Sequence, residues 1–354
     1  MNVQAKGHVP AAASESLMLL EAREAPAAVA RALAANAEPC RALAARLRAA
    51  PPPFAVTCAR GSSDNAATFA KYLFELRLGL VTASMGPSVR SVYAAAPRMK
   101  GALFLAISQS GRSPDLVQLA EAARNEGAIT VALVNDASSP LAAAVETVLP
   151  LHAGPERSVA ATKSLLTALA TLLQVFAHWR GDAGLERTLA RLPEDLAAAA
   201  RADWSAALPL LTGARNLYVV ARGIGLAAAQ EAALKLKEAA GLHAEALSAA
   251  ELMHGPLALA GPDFPVLLFA QRDEAEAGLI DLAQDLRLRG VPLIVAGAKA
   301  VPGAINLPLA AEIDPHAAPL LLLQSFYPLA DALARARGRD PDRPPHLRKV
   351  TETL

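Results

Sequence analysis

The feature that most restricts how this chain can fold is a strand–turn–helix pattern that occurs twice. Ala59-Arg60-Gly61 closes one apolar stretch and opens a helix-forming run, and Ala221-Arg222-Gly223 does the same 162 positions later. The apolar strand ending at Ile107-Ser108-Gln109 has a counterpart ending at Phe269-Ala270-Gln271, at the same offset. The apolar runs that follow Gly127 and Gly290 correspond to within one residue of it. Such self-similarity implies two copies of one α/β unit. Strands alternating with helices give a parallel sheet covered on both faces. A chain of 354 residues, 53% hydrophobic and only 19% charged, is long and apolar enough to bury two such units. The first unit is expected over 51–182 and the second over 208–337. Residues 1–50 read as an Ala-rich helical lead-in ended by Pro51-Pro52-Pro53, 183–207 as a charged helical linker, and 338–354 as a Pro- and Arg-rich irregular tail.

Composition excludes several classes of function. The formal net charge of +1, with no basic stripe interleaved with aromatics, argues against nucleic acid or an anionic membrane as partner. The longest uncharged apolar run, Ser164 to Trp179, is short for a membrane span and reads as a buried core helix. Two cysteines, Cys40 and Cys58, are too few for a disulfide framework and point to a reducing, cytoplasmic setting. Glu15, Glu21 and Glu24 distinguish the N-terminal segment from a signal peptide. Neither a C-x-x-C nor an H-x-x-x-H pair occurs, so no metal site is expected.

Two segments carry chemistry. The apolar strand Leu103 to Ile107 runs into Ser108-Gln109-Ser110-Gly111-Arg112-Ser113 just before a helix. The free N–H groups and positive dipole end of that helix favour a phosphate, and the serines add hydroxyl donors. Gly111 lets the backbone approach closely. A simple N-cap needs one serine, whereas three serines and an amide stand here. Cys58 to Asn65 repeats the arrangement through Gly61-Ser62-Ser63, and Glu156 to Lys163 opens a further helix. Neither G-x-x-x-x-G-K-[ST] nor G-x-G-x-x-G fits the serine loop, which weakens a nucleotide reading. In the second copy the loop becomes Ala270-Gln271-Arg272-Asp273-Glu274-Ala275, with acids in place of hydroxyls. The first copy is therefore the expected phosphate holder. The second segment begins at Glu231, on a helix expected over 227–240, where Lys235 and Glu238 share a face. A carboxylate beside a lysine, with a histidine nearby, can move a proton on and off a carbon next to a carbonyl. A solvated charged helix face is the plainer alternative.

Together these motifs resemble the sugar isomerase (SIS) superfamily, and specifically the isomerase half of the glutamine–fructose-6-phosphate aminotransferases. The resemblance runs from about Leu19 to the C-terminus. It rests on Gly61-Ser62-Ser63, Ser108 to Gly111, Val159 to Lys163, Ala233 to Glu238, His243 to Ala246, Glu251 to Leu259 and Asp342 to Lys349. It implies an α/β fold of two tandem SIS domains, each a flavodoxin-like parallel sheet flanked by helices. It also implies that Ser63, Ser108, Gln109, Ser110 and Ser113 hold a sugar phosphate, and that the backbone at Val159 touches the sugar. Glu238 would shuttle a proton between C1 and C2, with Lys235 in support. His254 would open the sugar ring from the partner subunit of a homodimer with shared active sites, and Lys349 would close over the sugar from the C-terminal tail. The family usually has threonine at Ser113, where the hydroxyl is kept, and the synthase has a small residue at Arg348, which alters the expected contacts of the tail. No cofactor and no metal is implied.

The aminotransferases of this family obtain ammonia from an N-terminal glutaminase domain whose nucleophilic cysteine follows the initiator methionine. Here Asn2 follows Met1 and the first unit begins near residue 50. The expected direction is therefore ammonia release, from glucosamine 6-phosphate to fructose 6-phosphate, as in SIS-type glucosamine-6-phosphate deaminases. Galactosamine 6-phosphate and a fructosamine 6-phosphate are alternative substrates, since nothing in the sequence reads the C4 hydroxyl. A sugar-phosphate sensor is the non-enzymatic alternative. It is expected with a DNA-reading helix and without the base, whereas Glu238, His254 and Lys349 are all present.

Overall fold

The computed structural model describes residues 15–349; residues 1–14 of the expected lead-in and 350–354 of the expected tail lie outside the described residues. Two helices, α1 (Leu17–Ala35) and α2 (Ala37–Ala49), come first. The first unit runs β1 (Ala55–Cys58), α3 (Ser62–Leu78), β2 (Thr82–Ser84), the short α4 (Ser88–Ser91), β3 (Leu103–Ser108) and α5 (Pro114–Asn125). It continues with β4 (Ile129–Val134), the short α6 (Pro140–Ala144), β5 (Thr147–Pro150) and α7 (Lys163–Arg180). Helices α8 (Ala183–Ala199) and α9 (Leu208–Gly213) lead to the second unit. That unit runs β6 (Asn216–Ala221), α10 (Leu226–Glu238), β7 (His243–Ser248), α11 (Ala249–Met253) and β8 (Val266–Ala270). It ends with α12 (Glu276–Leu288), β9 (Leu293–Gly297), β10 (Ile305–Pro308) and α13 (Ala318–Ala336).

Continuous apolar runs such as Leu103–Ser108 and Val266–Ala270 are buried at every residue, as strands covered on both faces must be. They pair in parallel into two sheets of five strands, ordered β2-β1-β3-β4-β5 and β10-β9-β8-β6-β7. With β6 to β10 matched to β1 to β5, the two orders are the same. This is the flavodoxin order, in which the progression of strands reverses between β1 and β3. Cys58 lies opposite Ala106 in that pair, so the loops after β1 and β3 leave the sheet side by side. Ligands of such sheets bind in that crevice, beyond the carboxyl ends of the strands.

The segment expected as a linker at 183–207 does more than connect. It is helical through Ala199 and buries Leu185, Leu189, Leu192 and Leu196, which repeat on one helical face. Helix α8 packs against α1, α7 and α13. Leu169, Leu192, Leu236 and Leu322 belong to one hydrophobic core that passes through both units. The lead-in helices α1 and α2 lie on α7, which is buried along most of its length, and α10 packs on α3 and α13. Among the described residues no helix is long and apolar enough to cross a membrane.

If α8 belongs to the core, Leu192→Ala should destabilise the protein by about 2–5 kcal/mol in urea unfolding, while Arg191→Ala, on its exposed face, should change little. Equal small effects would make α8 a mere connector.

Candidate active site

The serine loop at the end of β3 is built on a glycine. Gly111 has a φ of +63°, and a Cβ there would lie 2.1 Å from the Ser139 hydroxyl, so both conformation and space require glycine. The Gly111 N–H donates to Ser108 Oγ at 3.0 Å, which leaves the Ser108 proton free to donate elsewhere. Ser113 occupies the N-cap of α5, yet its side chain makes no capping bond. Its hydroxyl therefore remains for a ligand. Helix α3 begins earlier than its apolar pattern suggests: the Gly61-Ser62-Ser63 turn is itself the start, with Gly61 at a φ of +57° as N-cap. Ser63, Ser108, Gln109, Ser110 and Ser113 all line one cavity of about 270 Å³.

The second unit supplies the charged wall of that cavity. Lys235 is buried on α10, with Glu238 at 2.5 Å and Glu231 at 3.4 Å. Glu231 is buried and spans the two units: Ser62 Oγ donates to it at 3.2 Å and Asn65 Nδ2 at 2.8 Å. Burial pushes its carboxyl up to about 7, against the pull of Lys235 and those donors. Burial alone would lower the Lys235 ammonium, but the two carboxylates outweigh it and raise it above the usual lysine range. Lys235 thus stays charged, and Glu238 sits with its side chain only one-fifth exposed, facing the cavity. Behind this group stands Tyr327 of α13. Its phenol is pushed well above the usual range by burial and by Glu231, Glu156 and Glu238, and among the described residues its hydroxyl has no partner.

The remaining wall is the loop between β5 and α7, closed by the C-terminal segment. Glu156 accepts the Thr162 and Ser164 N–H groups, each at 3.0 Å, and the Ser164 hydroxyl at 2.5 Å. Burial would raise this carboxyl, yet Lys349 and those donors hold it below the usual range. Lys349 reaches it at 3.3 Å, and Leu347, Arg348 and Val159 line the cavity with it. The segment 338–349 has no helix or strand, as expected, and Asp342 fixes it by accepting the Leu17 and Met18 N–H groups at 2.7 and 2.9 Å.

Of the residues singled out in the sequence, Lys235, Glu238, Lys349, Val159, Ser63, Ser108, Gln109, Ser110 and Ser113 come together in this cavity. His254 does not; it is exposed at the end of α11 and lies outside the cavity lining of its own chain. Glu231, Asn65, Glu156 and Tyr327 were not singled out as site residues. The i, i+4 spacing of Glu231 to Lys235 was a legible signal for the first. The others meet the site only through tertiary contacts.

A model of the SIS domain matches residues 55–178 and 210–299, more than half of the chain. The chain belongs to the SIS family. A glutamine–fructose-6-phosphate aminotransferase (isomerizing) from Bradyrhizobium diazoefficiens is 33% identical over 310 residues, which cover 82% of this chain and 50% of that protein. The chain thus spans about half the length of the curated relatives it matches. Among solved structures, a candidate phosphosugar isomerase from Silicibacter pomeroyi DSS-3 is 44% identical, with a TM-score of 0.86 over 92% of this chain and 100% of that one. The C-terminal domain of a glucosamine-fructose-6-phosphate aminotransferase from Francisella tularensis is 25% identical, with a TM-score of 0.83 over 96% and 100%. These likenesses support phosphosugar isomerase-type chemistry on an SIS framework.

The SIS site makes two measurable claims. Ser108→Ala with Ser110→Ala removes two hydroxyl donors, each worth about 1.5–3 kcal/mol against a charged group, so calorimetry should show affinity for fructose 6-phosphate falling well over tenfold. Arg272→Ala with Glu274→Ala in the matching loop of the second unit should leave it alone; equal losses would argue against a single phosphate site. The second claim concerns Glu231. Between its ordinary value of 4.5 and about 7 the folded chain holds a proton that the unfolded chain has released. Its contribution to stability therefore declines as pH rises through that window. Glu231→Gln removes the dependence, so the wild type should lose ground to the variant from pH 4.5 to 7 in urea unfolding. A flat difference would mean the carboxyl is ionised throughout.

Proposed function

We propose that this protein converts glucosamine 6-phosphate to fructose 6-phosphate and ammonia. The observation that carries the reading is Glu238, a carboxylate at the cavity wall that pairs with the buried Lys235, whose charge the buried Glu231 also holds. The serine loops of the first unit take the phosphate, with α5 directing its N-terminus at it. Glu238 removes the C2 proton of the open-chain sugar and returns it at C1, and Lys235 offsets the charge that develops on oxygen. Water then attacks the resulting C2 iminium and ammonia leaves. Cys40 and Cys58 are both buried, with thiols pushed up to about 12 by burial. Neither can serve as a thiolate that splits an amide, which favours hydrolysis of the iminium over ammonia generated within the described residues.

Ring opening falls to His254 of the partner subunit. In its own chain His254 lies outside the cavity, on a segment that also exposes Met253 and Leu259. Exposed apolar side chains around a functional histidine suit a surface that meets a second copy of the chain. The partner in this reading is a homodimer mate, and the substrate a phosphorylated amino sugar.

Glu238→Gln keeps the shape and removes the base, so ammonia release should fall by at least about a hundredfold. His254→Ala should also be inactive alone. Mixed under subunit exchange, the two variants should recover activity, because one of the two sites in each mixed dimer then has both groups intact. Wild-type rates in Glu238→Gln would remove the proton-shuttle role; no recovery with exchange confirmed by mass would place both residues in one chain's site.

A further inference from the structure

Glu238 lines a second cavity as well as the first, and the second is walled by cations. It has a volume of about 540 Å³ and lies between the end of α10 and the segment after α13. Lys237, Arg339, Arg343 and His346 line it. All four are exposed, and none of their side chains makes a hydrogen bond or ion pair with a described residue. The neighbouring arginines are committed. Arg335 pairs with Asp331 at 3.0 Å, and Arg337 donates to the carbonyls of Ala240, Thr212 and Ala214 at 3.0, 2.9 and 2.9 Å. Two acids reach the cavity. Glu238 is held by Lys235, and Asp340 accepts the Asp342 N–H at 3.0 Å. With Asp340 set against Lys237, Arg339 and Arg343, two positive charges stay unbalanced before His346 is considered. A cation in the last turn of a helix needs no ligand, because the helix dipole favours it there. That accounts for Lys237 on α10, but Arg339, Arg343 and His346 lie beyond the end of α13 at Ala336. Arg339 is also seated. Gly241 has a φ of +58°, and a Cβ there would lie 3.0 Å from Arg339 Nε. The guanidinium thus lies against bare backbone that a larger residue would crowd. Like charges gathered round one cavity repel one another unless an anion lies among them.

We propose that this cavity is an anion site, separate from the serine loops, that takes a phosphate dianion as the free ion or as the monoester end of a small metabolite. A phosphate carries about −1.5 to −2 charge near neutral pH, which matches the two charges left unbalanced. Each arginine offers a fork of N–H donors that fits two phosphate oxygens, and Lys237 adds a compact charge. The segment that carries Arg339, Arg343 and His346 is already tied to α1 through Asp342 and to the first unit through Lys349 and Glu156. A phosphate gripped from Lys237 as well joins it to the second unit, one residue from Glu238. The site needs no step of the sugar chemistry, so it stands or falls apart from that reading.

Calorimetry with inorganic phosphate, at matched ionic strength, tests it. The host is the Ser108→Ala, Ser110→Ala protein, whose serine loop is disabled. Phosphate should still bind, and adding Arg339→Gln with Arg343→Gln should weaken it by at least about tenfold, the scale of lost charge-assisted bonds. Adding Arg124→Gln with Arg201→Gln instead, two exposed arginines outside the cavity, should change little. No binding in the host overturns the site, as does binding that survives the Arg339 and Arg343 changes. Equal losses from both arginine pairs also overturn it, since a diffuse field would then suffice. If the host fails to fold, the wild type serves: Arg339→Gln with Arg343→Gln should remove one bound phosphate per chain, and an unchanged stoichiometry overturns the site. Methyl phosphate separates the two sources. Affinity equal to that of the free ion assigns the site to a monoester, and affinity at least about tenfold weaker, one charge-assisted bond lost, assigns it to the free ion.

Discussion

Everything at this site depends on one buried carboxylate. Glu231 accepts hydrogen bonds from Ser62 and Asn65 of the first unit and faces Lys235 on its own helix. A carboxyl group withdrawn from water is costly unless donors meet it, and here the donors come from across the boundary between units. Separating the units would strand Glu231 and Lys235 together. The same contacts fix where Glu238 points, because the Lys235 ammonium that holds it cannot swing without leaving Glu231. The serine turn that opens α3 therefore serves two ends: it faces the cavity through Ser63 and it holds Glu231 of the other unit through Ser62. A site assembled this way exists once per pair of units.

The elements outside the two sheets act on the same cavity. Glu21 of α1 accepts the Arg157 and Ser158 N–H groups at 2.5 and 3.1 Å, and Glu24 pairs with Lys163 at 2.5 Å. Helix α1 thus holds the loop that carries Val159, while Asp342 ties the C-terminal segment to the start of the same helix. Glu156 meets that segment from below through Lys349. Segments near the start and end of the described residues converge on one loop, which places the lead-in helices and the segment before Lys349 among the parts that shape the cavity.

How much of this could be read from the residues alone follows from the range of each interaction. Apolar runs such as Leu103–Ile107 declare buried strands by themselves, and the doubled pattern carries the order of one sheet to the other. The serine loop was legible because its serines and Gly111 are neighbours in the chain. The start of α3 at Ser62 is hard to read, because serine and glycine read as a loop when they also form the helix's first turn. The role of α8 was hidden by its charges, although Leu185, Leu189, Leu192 and Leu196 already keep a helical period. Glu156, Glu21 and Tyr327 gave no signal, because each acquires its function from groups that only folding brings near.

The two units also show why a doubled fold keeps one site. At the position matching Ser63 the second unit has Gly225, and at that matching Gln109 it has Gln271. The Gln271 amide turns inward, donating to the Arg222 carbonyl and to Asp273, each at 2.9 Å. A Cβ on Gly225 would lie 2.0 Å from its Oε1. The crevice that holds serine hydroxyls in the first unit is thus filled by a fully buried side chain in the second. Its own switch point is thereby occupied. Its first helix after the reversal, α10, can then turn Lys235 and Glu238 towards the neighbouring crevice. The filled crevice of the second unit and the open one of the first are two consequences of packing around Gly225 and Gly111.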